Sequence, residues 1–310
     1  MAEKLKDTIK RISKKHLLEN NGLLLGQCLT AVGWVGGTVP ELKEKDGIIE
    51  LSMADVAGGG IAVGAALAGR RPIYVVRFQG FQWYNAVEIV NYAAKSKEMW
   101  GRPCPLFVRS IAMDAGGGER SIGPVASGSH HGIYTRMPGI PVCAPMTSKE
   151  YKSVWKYFMN HDDPIYVSEH RRGWDLDFEM EDKIYKKAEI TLFPISSTRL
   201  NAIEASEKLE KEGIKCNIIH LLWLKPFELN KKDNEIKYSL LNSKFGGIII
   251  DGDYENSISK CIAYDLMHKY NKKVHALGLE ERTAGFAPHL DNLPPSAKRI
   301  ESKVKEIIFK

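Results

Sequence analysis

The sequence predicts an α/β protein with two domains, each built on a mainly parallel sheet with helices on both faces. Short apolar segments that suit buried strands alternate with amphipathic helical segments along the chain, the pattern typical of such sheets. With 310 residues, the chain is long enough for two substantial cores. A charged stretch over residues 175–187 separates the two runs of alternating elements, and we place the domain boundary near residue 185.

In the first domain, hydrophobic periodicity predicts each element in turn. Residues 3–20 form a basic amphipathic helix, and a glycine-rich loop occupies residues 114–132. The other helices are predicted at residues 40–45, 61–68, 83–95 and 148–159. The strands are predicted at residues 22–29, 48–51, 73–78, 105–110, 140–144 and 164–168.

The second domain begins with a compact βαβ unit, in which two strands flank a helix over residues 199–213. The strands of this domain are predicted at residues 188–194, 216–221, 246–251 and 273–279. Two further helices are predicted at residues 257–270 and 297–308.

Composition excludes several classes of protein. Hydrophobic content of 44% and charged content of 26% are ordinary for a soluble globular protein. The net charge of +6 comes from lysines spread along the chain, which favours a solvated surface over a nucleic-acid groove. Five cysteines without CxxC spacing predict reduced thiols in a cytoplasmic compartment and no structural zinc. No signal peptide and no membrane-spanning run is predicted.

A single carboxylate is the first candidate for a functional site. Asp55 follows the strand predicted at residues 48–51, and three glycines over residues 58–60 allow a ligand or another backbone to approach closely. Ligands of open α/β sheets bind at the carboxyl ends of strands, which is where Asp55 lies. Neither a dinucleotide fingerprint nor a P-loop is present. The alternative interpretation is that Asp55 caps the following helix.

Six segments resemble those of a known family, and they occur in the family's order and at near-constant spacing. The chain resembles the beta subunit of the thiamine-diphosphate-dependent decarboxylase of 2-oxo-acid (pyruvate) dehydrogenases, and the matching C-terminal half of transketolases. The resemblance implies a transketolase-like pyrimidine-binding domain over residues 1–185 and a transketolase C-terminal domain over residues 186–310, both three-layer αβα. The segments are MADVAGGGIAVGAALAGRRPI, FQGFQWYNAVEIVNYAAK, the Gly-Pro at Gly123 and Pro124, MPGIPVCAP, DDPIYVSEHRR and EASEKLEKEGIKCNIIHLLWLKPFE.

The resemblance implies that this chain holds half of a cofactor site. In the family, a Gly-Asp-Gly motif with a downstream Asn binds the diphosphate of thiamine diphosphate and Mg²⁺, and this chain has no such motif. The similar run Asp251-Gly252-Asp253 is interpreted as a turn that ends a strand. A separate alpha-type subunit carrying the diphosphate and magnesium is therefore implied, in an α2β2 assembly that acts on a ketose or a 2-oxo acid.

Two residues match the family's cofactor contacts. Asp55 stands where the family has the Glu that bonds to the ring nitrogen of the aminopyrimidine, so the resemblance implies both a catalytic and a cofactor-binding role for it. Asp is shorter than Glu by one methylene, so the backbone must lie closer, or water must bridge, or the site is impaired. Phe81 matches the aromatic residue that stacks on the aminopyrimidine.

Other positions depart from the family pattern. Ala126 stands where the family has a His that handles protons, and His130 and His131 follow shortly afterwards. One of these two histidines is a candidate for a general acid or base, and the alternative is that both are exposed loop residues. Gln27-Cys28 replaces an acidic pair. Four arginines either bind an anionic substrate or hold subunit interfaces: Arg120, Arg136, Arg171 and Arg172.

Two functional hypotheses follow from the resemblance and these departures. The first is the pyrimidine-binding subunit of an enzyme that makes or breaks a carbon–carbon bond next to a carbonyl, inactive without its partner chain. The second is a catalytically silent subunit kept for assembly or regulation.

Overall fold

The structure is a computed structural model that describes residues 3–31, 33–114, 128–285 and 287–310. Within these ranges the chain divides into two compact units. The first unit comprises the described residues up to Met113 together with Ile133–Glu179. The second comprises Asp114, residues 128–132 and Met180–Lys310. None of the helices in the described residues is both long and apolar enough to cross a membrane.

A parallel sheet forms the centre of the first unit. Its neighbouring strands occur in the order β2-β1-β3-β4-β6-β5. Every position of β3, β4 and β6 is buried, which explains why these segments are apolar runs without alternation. The strands are β1 (Leu23–Gln27), β2 (Ile48–Leu51), β3 (Pro72–Val76), β4 (Phe107–Ala112), β5 (Val142–Cys143) and β6 (Ile165–His170).

Helices cover this sheet. In the short segment α2, Trp34 and Val35 have φ values of 53° and 43°, a left-handed conformation that is costly for a β-branched residue. A single π-helical turn, Ile89–Ala93, continues α4. The helical segments are α1 (Leu5–Glu19), α2 (Gly33–Gly37), α3 (Asp55–Leu67), α4 (Gln82–Glu88), α5 (Ser96–Trp100), α6 (Gly132–Thr135) and α7 (Ser148–Met159).

The second unit has its own parallel sheet, with strand order β11-β10-β7-β8. Its core is formed by branched aliphatic residues such as Leu192 and Ile250, packed against Ile300 of the last helix. The strands of this sheet are β7 (Ile190–Pro194), β8 (Cys216–Ile218), β10 (Gly247–Tyr254) and β11 (Val274–Leu279), and the short strand β9 (Trp223–Lys225) is not one of them. The helices are α8 (Thr198–Lys211), α9 (Asp233–Leu241), α10 (Ile258–Tyr270) and α11 (Ala297–Phe309).

The predicted α/β class is confirmed, and so are most elements to within a few residues. Helix α7 begins at Ser148 as predicted, because the Thr147 side chain accepts a hydrogen bond from the Glu150 amide and caps it. The helix predicted at residues 40–45 is wrong, since that region contains only a three-residue 3₁₀ turn, Glu44–Asp46. Strand β9 and helix α9 were not predicted.

Candidate functional site

Asp55 is the first residue of α3, four residues after β2 ends at Leu51. The N-cap is Ala54, so the alternative interpretation of Asp55 as the helix cap is wrong. The partial positive charge of a helix N-terminus favours a carboxylate in the first turn. Asp55 is half-buried, and none of the described residues makes a hydrogen bond or ion pair with its side chain. A carboxylate is therefore available to a ligand at this edge of the sheet.

Glycines in α3 set the distance between this helix and its neighbours. A Cβ atom on Gly59 would lie 2.8 Å from the Cβ of Asn85 in α4, and one on Gly58 would lie 3.0 Å from the Tyr74 hydroxyl. The Asn85 amide donates a hydrogen bond of 3.4 Å to that hydroxyl. Two of the three glycines beside Asp55, Gly58 and Gly59, therefore permit close packing of α3 on β3 and α4.

Phe81 lies in the turn that connects β3 to α4. It is half-buried and makes an edge contact with Phe78, with ring centroids 5.8 Å apart and ring planes at 69°. Phe81 is flanked by Gln79 and Gln82, which are 2% and 0% exposed. The Phe81 ring therefore lies between two residues with buried polar side chains.

The two glutamines bind residues of the neighbouring strands β4 and β6. Gln79 Nε2 donates to Ser168 Oγ at 2.7 Å and to the Ser110 carbonyl at 3.1 Å. Gln82 Oε1 accepts from Ser110 Oγ at 3.3 Å and from the Tyr166 hydroxyl. Sequence reasoning missed this network, and the only signal was a pair of glutamines on either side of an aromatic residue.

A second carboxylate, Glu88, lies near the same residues. Its Oε2 atom is buried and has no hydrogen-bond partner among the described residues. Burial, Asp55 and Glu88 together raise the pKa of the Tyr74 phenol, and burial with Tyr74 and Glu88 raises that of Tyr134. Both phenols therefore stay protonated at neutral pH and can act as hydrogen-bond donors.

The two candidate histidines belong to the second unit. His131 is fully buried, and its Nε2 lies 3.0 Å from Asp251 Oδ2. Burial lowers the pKa of His131, but the charge and hydrogen bond of Asp251 outweigh burial and raise it overall. His130 is half-buried, with its ring 6.2 Å from that of Tyr254. The alternative interpretation of two exposed loop histidines is therefore wrong.

The acidic run near these histidines does not form a turn. Residues 251–253 lie inside β10, so the predicted strand-terminating turn is wrong. Asp253 Oδ2 accepts a hydrogen bond of 2.7 Å from the Gly132 amide. Burial raises the pKa of Asp253 to about 6, although the charge of His131 opposes this. A carboxyl pair and an imidazole thus form one buried, charge-coupled cluster.

Some predicted positions lie elsewhere. Ala126, Arg120 and the Gly123-Pro124 pair fall outside the described residues. Arg171 stacks over Phe78 and Trp174, and burial together with the neighbouring Arg77 lowers its pKa. Arg136 is exposed, Gln27 is half-buried, and Arg172 lies in the 3₁₀ turn after β6. Within the described ranges, no group of three His, Cys, Asp or Glu side chains is arranged to hold a metal ion.

The helices that carry the site also carry an exposed apolar surface. In α3, Val56 and Ile61 are 55% and 50% exposed, and in α4, Trp83, Tyr84 and Val87 are 59%, 58% and 53% exposed. We call these five residues the α3–α4 surface. Exposed apolar side chains that gather into one patch often mark interaction sites.

Comparison with known families decides the classification. Residues 18–174 match the family model described as the transketolase pyrimidine-binding domain. The chain belongs to this family. Members depend on thiamine diphosphate, and the chain is transketolase-like and similar to pyruvate dehydrogenase beta subunits.

Similar proteins include curated beta subunits. The pyruvate dehydrogenase E1 component subunit beta, mitochondrial, of Dictyostelium discoideum is 26% identical over 207 residues, covering 62% of this chain and 58% of that protein. The 2-oxoisovalerate dehydrogenase subunit beta of Bacillus subtilis is 28% identical over 224 residues, covering 66% of this chain and 67% of that protein. The chain thus spans little more than half the length of the first of these relatives.

A solved structure shows the same fold over the whole chain. It is described as a split-gene transketolase, an inactive beta4 tetramer, and superposes with a TM-score of 0.72 at 15% identity. The match covers 100% of this chain and 99% of that one. The predicted architecture of a pyrimidine-binding domain followed by a C-terminal domain is confirmed at the level of fold.

Proposed function

We propose that the chain is the beta-like, pyrimidine-binding subunit of a heteromeric thiamine-diphosphate-dependent enzyme. The enzyme makes or breaks a carbon–carbon bond next to the carbonyl of a ketose or a 2-oxo acid. The observation that carries the proposal is the unpartnered carboxylate of Asp55 at the start of α3, in a family that uses a carboxylate at this position.

The residues present fit one half of the cofactor. An aminopyrimidine ring needs a carboxylate for its ring nitrogen and an aromatic face for its plane, and the cofactor itself supplies the carbon nucleophile. Asp55 would hold the ring nitrogen, and Phe81 would stack on the ring. The hydrogen bonds of Gln79 and Gln82 fix the turn that carries Phe81, so the platform is rigid before any ligand binds.

A second chain completes the proposed site. Within the described residues there is no cluster for a metal, and the sequence lacks the diphosphate-binding motif, so the diphosphate and Mg²⁺ are assigned to an alpha-type subunit. The α3–α4 surface supports this assignment, because five large apolar side chains lie exposed on the helices that carry Asp55 and Glu88. We propose an α2β2 assembly.

The described part of the second unit supports a structural role for His131. His131 is buried against Asp251, so of the two candidates His130 is the one we retain for proton transfer. We also retain the proposals of a C-terminal domain over residues 186–310 and of a cytoplasmic location. The second of these rests on five free cysteines.

The test combines this chain with a co-purifying chain that carries Gly-Asp-Gly and a downstream Asn. Turnover is measured with thiamine diphosphate, Mg²⁺ and a panel of ketoses and 2-oxo acids. We expect turnover in the native pair, its loss in Asp55→Ala, and no change in Asp7→Asn, a control in the first turn of α1. Cofactor binding without turnover of any substrate would support the silent subunit instead.

A further inference from the structure

Two cavities open side by side where the strands of the second unit begin. The first, of about 330 Å³, lies before β7, β8 and β10. The second, of about 380 Å³, lies before β10 and β11 and reaches the end of α11. The starts of these strands are adjacent, since Gly247 pairs with both Thr191 and Val274. Lys244 and Lys272 line both cavities and form the boundary between them.

The lining of these cavities is strongly basic. Seven lysines against two glutamates leave a net charge of +5, while the net charge of the whole chain is +6. The lysines are dispersed along the sequence, but the parallel topology gathers the segments before each strand at one edge. The charged residues are Lys187, Lys215, Lys244, Lys272, Lys273, Lys303, Lys310, Glu189 and Glu306.

Helix termini explain only part of this charge. Helices α8, α9, α10 and α11 all end at this edge, and each C-terminus carries about −0.5 of a charge, or about −2 together. That is less than half of the net +5. Glu306 pairs with Lys303 and Lys310 at 3.1 and 2.6 Å, whereas Lys187 and Lys273 make no ion pair with any described residue. A surplus of positive charge is left at the cavity walls.

The walls also carry groups that suit an organic ligand. His275 lines the second cavity, and its Nε2 atom is buried without a hydrogen-bond partner among the described residues. Burial, Lys273 and Lys303 lower the pKa of His275, so its ring is neutral at pH 7. Leu241 and Phe245 add apolar surface, one in each cavity. Both volumes fall within the range of small-molecule sites.

We propose that this edge binds a small organic anion with two or more phosphate groups, which spans the two cavities across Lys244 and Lys272. Ammonium groups form charge-assisted hydrogen bonds with phosphate oxygens, and a concave basic surface concentrates the attraction. Two separate concave sites, each with an apolar side chain in a basic wall, suit a compact anion better than an extended polymer. The proposal uses residues of the second unit alone and does not depend on the proposed function.

The test is calorimetric titration of the full chain, without thiamine diphosphate, using adenosine triphosphate, tripolyphosphate and orthophosphate as probes. We expect adenosine triphosphate to bind one to one and orthophosphate to bind at least about tenfold more weakly. The double variant Lys244→Glu/Lys272→Glu should lose at least about tenfold in affinity for adenosine triphosphate. The control Lys14→Glu/Lys45→Glu makes the same charge change in the first unit and should bind as the native chain does.

A resonance assignment of His275 locates the ligand. Binding of adenosine triphosphate should raise the pKa of His275 in the native chain, because a phosphate beside the ring stabilises its protonated form. Three results would each overturn the proposal: no binding of either polyphosphate, equal weakening in both double variants, or binding that leaves the pKa of His275 unchanged. Tighter binding of an RNA oligomer than of adenosine triphosphate would also overturn it.

Discussion

The substitution Gly59→Ala tests whether α3 and α4 pack against each other as closely as the structure shows. A methyl group at this position would lie 2.8 Å from the Cβ of Asn85, whereas carbon atoms in contact are about 3.5–4.0 Å apart, so one helix must move by about 1 Å. Overpacking of this kind costs about 1–3 kcal/mol, and the better helix propensity of Ala returns about 1 kcal/mol. We expect Gly59→Ala to lose up to about 2 kcal/mol of unfolding free energy.

Gly64 is the matched control in the same helix. No atom lies within 4 Å of a Cβ built on Gly64, so Gly64→Ala should gain about 1 kcal/mol from helix propensity alone. Urea unfolding, fitted with the slope shared between variants, measures both changes. Changes of the same sign in the two variants would refute the close packing of α3 on α4.

The same displacement should reach the proposed cofactor site. Asn85 lies in α4, which begins directly after Phe81, so a shift of α4 moves the proposed stacking platform away from Asp55. A misplacement of about 1 Å can cost about a hundredfold in rate. We therefore expect Gly59→Ala to weaken thiamine diphosphate binding in the assembled complex, and Gly64→Ala to leave that binding unchanged.

Three further variants test other parts of the structure. Glu169→Gln should cost about 3–5 kcal/mol in urea unfolding, because Arg109 is fully buried and bonds to both carboxylate oxygens of Glu169 at 2.7 and 2.9 Å. Asp253 holds its proton more tightly when folded, since burial raises its pKa from 3.8 to about 6. The stability that this proton provides is complete below pH about 4 and is lost as the pH rises through about 6. The unfolding free energy of Asp253→Asn, measured relative to that of the native chain, should therefore increase over that pH window. Trp83→Glu/Val87→Glu should abolish co-purification of the partner without lowering the thermal midpoint of the isolated chain.

Each of these has its own contrary outcome. Glu169→Gln with native stability would mean that the buried pair is not formed. If the difference in unfolding free energy between Asp253→Asn and the native chain is constant from pH 4 to pH 7, the raised pKa of Asp253 is excluded. For the interface variant, Tyr264→Glu is the control, because Tyr264 is 57% exposed on α10 of the second unit. If that control also loses assembly, the result gives no support to the α3–α4 surface as the partner interface.

Local pattern was sufficient to predict most of the fold. The apolar runs of β3, β4 and β6 are recognisable because these strands are buried on both faces. Helix α9 was missed because its nine residues, DNEIKYSLL, are too few and too polar at the start to show a clear helical period. The run 251–253 was assigned to a turn because Asp and Gly are rare in strands, whereas here a buried His131 pairs with Asp251 inside β10.

The candidate site was predictable only in part. Asp55 and Phe81 were proposed because both match positions of a known family, and their roles stay predictions. Gln79 and Gln82 were not found, because a buried glutamine differs from an exposed one only through its partners, and these lie on strands 28 to 89 residues away in sequence. Glu88 was missed for the same reason, since its burial depends on how α4 packs and not on its neighbours in sequence.

Affinity of the assembled complex for thiamine diphosphate tests the role of Asp55 most directly. In the presence of Mg²⁺ and the partner chain, Asp55→Asn should weaken binding by about tenfold or more, since a hydrogen bond to a charged group is worth about 1.5–3 kcal/mol. Asp55→Glu, which retains the carboxylate, should bind more tightly than Asp55→Asn, and Asp7→Asn should match the native complex. Native affinity in Asp55→Asn would contradict the proposal that this carboxylate holds the pyrimidine ring.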